Sequence, residues 1–80
     1  MWFIYILQCE DGSLYTGATN DLLRRFTEHK NGKGGSYTRS HKPKKIVYSE
    51  KIGAKGEALR REAVIKRMTR EQKLRLIRSH

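Results

Sequence analysis

Eighty residues leave room for one domain with one modest core. A lone cysteine excludes an internal disulfide, so a stapled secreted module gives way to a reduced, cytoplasmic protein. Eighteen Lys and Arg against eight Asp and Glu give a formal net charge of +10, and of the basic residues only Arg24 and Arg25 precede Lys30. Such a basic face attracts polyanions, of which nucleic acid is the commonest in cells. A merely solvated basic surface, a ribosomal partner or an acidic membrane surface are the alternatives on charge alone.

Along the chain, residues 2–8 are nearly continuous in apolar and aromatic character, as in a strand covered on both faces. The run Trp2 to Leu7 is too short to span a bilayer and has neither the basic flank nor the small-residue site of a signal peptide. Asp11-Gly12 predicts a hairpin turn into an antiparallel second strand over Ser13 to Gly17. Thr19 or Asn20 suits the N-cap of a helix that starts near Asp21 and runs to about Asn31-Gly32. Its apolar face is read as Leu22, Leu23 and Phe26, with Arg25 and His29 one turn apart along an edge.

From Asn31 to Lys45, glycine, hydroxyls and positive charge replace any apolar period, which predicts a long loop or basic flap. Ile46 to Glu50 reads as a third strand and Ala54 to Met68 as a second helix. Thr69-Arg70-Glu71-Gln72 has the form of a capping box, opening a last helix through Leu74, Leu76 and Ile77. The sum is an α+β domain over residues 1–78: a small three-stranded antiparallel sheet flanked by three helices.

Among residues that carry chemistry, Glu62 stands out. Ala58, Leu59 and Ile65 define the inward face of its helix, and Glu62 lies within that arc. A carboxylate there must be paired, protonated or bound to a cation. An internal salt bridge, with Arg25 as one partner, is the structural reading. The chain has no Cys or His cluster at zinc spacing, whereas a single carboxylate suits Mg2+ or Mn2+, which keep most of their waters and take phosphate oxygens as further ligands. Tyr5 and Tyr15 lie on neighbouring strands, and the hairpin brings them toward the corner from which Arg25 and His29 descend.

Ile4-Tyr5-Ile6, then Tyr15-Thr16-Gly17, then Asn20-Asp21-Leu22 with Arg25 and His29, and finally helical Glu62, resemble the GIY-YIG nuclease pattern. The likeness covers most of the chain and runs closest to small stand-alone bacterial members, with no further DNA-binding domain expected. Ile4 stands where the family name has glycine, Thr16 where it has isoleucine, and Ala18 where repair-type members carry lysine. The resemblance implies metal-dependent hydrolysis of phosphodiester bonds, in DNA rather than RNA and in the setting of repair or recombination. Tyr5 or Tyr15 would be the base, Arg25 would stabilise the transition state, His29 would orient a tyrosine or shuttle its proton, and Glu62 would hold the metal. Composition adds Lys33, Tyr37, Thr38, Arg39 and His41 as residues gripping the backbone, and Lys66, one turn beyond Glu62, as a phosphate contact or the carboxylate's partner. The rival reading is a module of the same fold that binds nucleic acid and cuts nothing.

Overall fold

Strand β1, Trp2–Cys9, is the central strand. The computed structural model describes residues 1–79, and in it β1 pairs antiparallel with β2, Leu14–Thr19, on one side and β3, Pro43–Gly53, on the other. A strand flanked on both edges and covered on both faces has no solvent side, which is why its residues do not alternate in polarity: Ile4, Tyr5, Ile6 and Leu7 are all buried. The hairpin turn forms where expected. Gly12 takes a φ of 87°, and the Asp11 carboxylate accepts from both the amide and the hydroxyl of Ser13.

The two faces of the sheet serve different ends. Ile4 and Ile6 join Tyr48, Ala58 and Ile65 in the main core, with Met68, Leu76 and Ile77 packed against it. Tyr5, one residue out of phase, meets the opposite side. There lie α1, Leu22–Lys30, and α2, Ser36–Ser40. The remaining helices are α3, Lys55–Lys66, and α4, Arg70–Ser79.

Several boundaries depart from the sequence reading. Strand β2 continues past Gly17 to Thr19, so Asp21, neither Thr19 nor Asn20, is the N-cap of α1, accepting from the Arg24 amide at 3.1 Å. Thr19 instead accepts from the Asp21 amide at 3.1 Å, closing the turn before the helix. The expected loop over 31–45 contains α2, giving four helices where three were expected, and β3 begins at Pro43 and ends at Gly53. Proline fits the first position of an edge strand because no ladder donor is needed there. Leu23 and Leu59, read as apolar-face residues, are exposed. Each lies about 100° around its helix from a more covered neighbour, half-buried Leu22 in α1 and buried Ala58 in α3.

Helix α3 is pinned by charge as well as by burial. Arg61 donates from Nε and Nη2 to the two Glu50 carboxylate oxygens at 2.9 and 2.8 Å, and the Tyr48 hydroxyl donates to the same carboxylate. The predicted capping box of α4 is reciprocal: the Gln72 amide donates to Thr69 Oγ1 at 3.1 Å and the Thr69 amide to Gln72 Oε1 at 2.9 Å. Arg70 then reaches back to the Gly12 carbonyl at 2.9 Å, tying the last helix to the first turn.

Candidate active site

The site begins at a pair of residues facing each other across the hairpin. Tyr5 is opposite Gly17 in the β1–β2 register, and the Tyr5 ring lies so close over Gly17 that a methyl group there would overlap its hydroxyl. Gly17 thus serves as clearance for the ring. With the ring so placed, the Tyr5 hydroxyl shares a 2.8 Å hydrogen bond with His29 Nε2.

His29 is fully buried at the C-terminal end of α1. Its other nitrogen, Nδ1, lies 2.7 Å from Thr38 Oγ1. Burial holds the imidazole below its ordinary pKa, with the Arg25 charge acting in the same direction. A neutral imidazole has one donor and one acceptor nitrogen. One tautomer therefore accepts the Tyr5 proton at Nε2 and donates from Nδ1 to Thr38, while the other reverses both bonds. Burial pushes the Tyr5 phenol up to about 12, opposed by Arg25 and reinforced by the charges of Tyr15 and Glu62.

Arg25 lies partly open beside this pair. Its Nη1 donates to Glu28 and its Nη2 to the Gly34 carbonyl, both at 3.1 Å. Gly34 has a second constraint, because a Cβ there would run into the His29 ring. Sequence reasoning assigned Gly34 no role; the only signal was its place in a glycine-rich run. Tyr15 meets His29 edge-on at 5.1 Å between centroids, and Tyr37 stacks on Tyr15.

Tyr5, Tyr15, Arg25 and His29 thus converge as expected. Glu62 pairs with Lys66 at 3.7 Å, rather than with Arg25, and most of its side chain is covered. Thr38 is a correction: its hydroxyl, expected on the substrate backbone, is buried beneath His29, because the short helix α2 folds it inward. Tyr37, Arg39 and Lys33 remain at the surface and His41 is half open, while Lys66 is exposed beside Glu62. Among the described residues no three His, Cys, Asp or Glu side chains cluster as a metal cage. What the site offers a cation is one carboxylate, a donor set that fits an ion keeping its waters and sharing phosphate oxygens, and does not fit zinc. Cys9 takes no part: it is buried, and burial raises its thiol pKa. No described helix is long and apolar enough to cross a membrane.

A family model described as the GIY-YIG catalytic domain matches residues 1–75. The chain is 53% identical over 79 residues to a UPF0213 protein of Clostridium perfringens, covering 99% of this chain and 85% of that one. It is 49% identical over 78 residues to a UPF0213 protein of Streptococcus agalactiae, covering 98% and 89%. The solution NMR structure of a UPF0213 protein from Bacillus halodurans is similar with a TM-score of 0.60 at 42% identity, over 96% of this chain and 83% of that one. With a family model matched over residues 1–75 and relatives about half identical along nearly the whole chain, this chain belongs to the GIY-YIG family.

Proposed function

We propose that this protein is a metal-dependent endonuclease that hydrolyses phosphodiester bonds, in DNA rather than RNA, in the service of repair or recombination. The observation that carries the reading is the buried hydrogen bond from Tyr5 to a neutral His29. A phenol whose pKa is about 12 is a poor base by itself at neutral pH. Coupled to His29, Tyr5 takes a proton from the attacking water while its own hydroxyl proton moves to Nε2, so a free phenolate never has to form. In the tautomer this step uses, Nδ1–H donates to Thr38 Oγ1 and Nε2 is the acceptor. This favours Tyr5 over Tyr15 as the base. Tyr15, half-buried and edge-on to His29, packs the ring in place.

Arg25 stabilises the additional negative charge on the phosphate in the transition state with planar donors that match two oxygens. Glu62 is the residue that would hold Mg2+ or Mn2+, which when bound supplies positive charge at the phosphate and leaving oxygen. Lys66, now on Glu62, is free to turn to the phosphate once the carboxylate has a cation. Lys33, Arg39, Tyr37 and His41 grip the strand around the site.

The test is cleavage of branched, nicked, single-stranded and duplex DNA with Mg2+ or Mn2+. Glu62→Ala and Arg25→Ala are expected to lower the rate at least about 100-fold while binding persists. The Lys66–Glu62 pair favours one rival, a module of the same fold that binds without cutting. A wild-type protein that leaves every substrate whole establishes that rival instead.

A further inference from the structure

Aromatic rings continue outward from the reactive pair. Beyond Tyr15, the Tyr37 ring stacks at 5.6 Å between centroids and 25° between planes, and His41 stacks on Tyr37 at 4.1 Å and 7°. His41 ends the column. Its inner face is covered by Tyr37, its Nδ1–H donates to the Tyr37 carbonyl at 3.0 Å, and the Asp11 carboxylate lies 3.9 Å from Nε2. The side chain still keeps 36% of its surface open. Tyr37 covers one face and its carbonyl takes Nδ1–H, so the open surface lies on the outer face and the Nε2 edge of the ring.

A flat aromatic face, held in orientation by its stack on Tyr37 and the Nδ1–H bond to the Tyr37 carbonyl, is the shape on which a nucleobase stacks. The next residue along the chain provides the other half of a nucleotide's needs. Lys42 lines a cleft of about 250 Å³ together with Lys30, Pro43, Lys44 and one acid, Glu10, so three basic residues border it against one acidic residue. That excess of positive charge suits a phosphate.

We propose that the outer face of His41 is a stacking platform for an unpaired nucleobase, with the flanking phosphate in the Lys30–Lys42–Lys44 cleft. The substrate is then a flap, branch or strand end rather than continuous duplex. Inside a duplex both faces of every base are covered by neighbours, so none is available to His41 without unstacking. The inference deepens the proposed function and rests on its premise that this side of the molecule meets nucleic acid.

The test is a fluorescence titration of the full chain without divalent cation, so that cutting does not enter. The probe is an oligonucleotide carrying one fluorescent adenine analogue, as single-stranded DNA, single-stranded RNA of the same sequence, and perfect DNA duplex. The single strands are expected to bind with quenching, and the strand quenched more strongly identifies the preferred sugar. His41→Ala is expected to abolish the quench and weaken single-strand binding about tenfold, leaving duplex binding in place. His41→Phe, which keeps a flat face, is expected to restore the quench. Undiminished quenching in His41→Ala overturns the platform, as does an equal loss of single-strand and duplex binding, which marks a charge contact alone. A protein that passes this test but cuts nothing with Mg2+ or Mn2+ fails the nuclease reading and leaves the platform standing.

Discussion

Burial lowers the pKa of His29 and raises that of Tyr5, and both shifts keep the bond between them neutral. The groups facing His29 are Tyr5 from β1, Tyr15 from β2, Arg25 and Glu28 from α1 and Thr38 from α2. Because its folded pKa lies below the ordinary imidazole value of about 6.5, the unfolded chain takes up the proton first as pH falls. The stabilisation that His29 contributes is therefore complete above that pH and drains away below it. Thermal melts from pH 8 to pH 5 are expected to show a falling midpoint, and the His29 ring signals in NMR to titrate below the unfolded value. A His29 that titrates at or above the ordinary value removes this account of the pair. Tyr5, Tyr15, Arg25 and His29 were legible in the sequence because a tight hairpin and one turn of helix fix their spacing. Thr38 was not, since a threonine among glycines, lysines and serines has no apolar period to announce that it will be buried under another side chain.

The elements hold the site through contacts that no local pattern predicts. Helix α3 carries Glu62, yet its attachment to the sheet depends on Arg61 gripping Glu50 across the β3–α3 connection. Glu50→Gln removes the charge from a partly covered bidentate pair, and a loss of about 1–3 kcal/mol in urea unfolding is expected. Hydrogen exchange is expected to show the α3 amides opening before those of β1. An unchanged midpoint and unchanged α3 protection would mean that packing of Ala58 and Ile65 alone seats the helix. The strands, the hairpin and the capping box were readable because period, turn chemistry and Thr69-to-Gln72 spacing act over a few residues. Helix α2 and the full length of β3 were not, because their order comes from contacts outside their own segments, α2 with α1 and β3 with the distant β1.

For the whole molecule, the +10 charge noted at the outset becomes a field around a defined spot. Each phosphate neutralised releases counterions, so affinity for nucleic acid is expected to fall linearly with salt on logarithmic axes. Lys42→Ala is expected to reduce that slope by about one if the ammonium meets a phosphate. An unchanged slope would place Lys42 outside the strand's path. The position of β1 carries a separate consequence, in the order of events during synthesis. The hairpin partner β2 follows β1 almost at once, but β3 ends only at Gly53, after α1 and α2. Until then the second edge of an apolar, unbroken strand is open to pairing with any other chain. Tyr5, His29 and Thr38 all precede β3, so the reactive pair can form on a two-stranded sheet whose remaining edge is exposed to aggregation until β3 arrives.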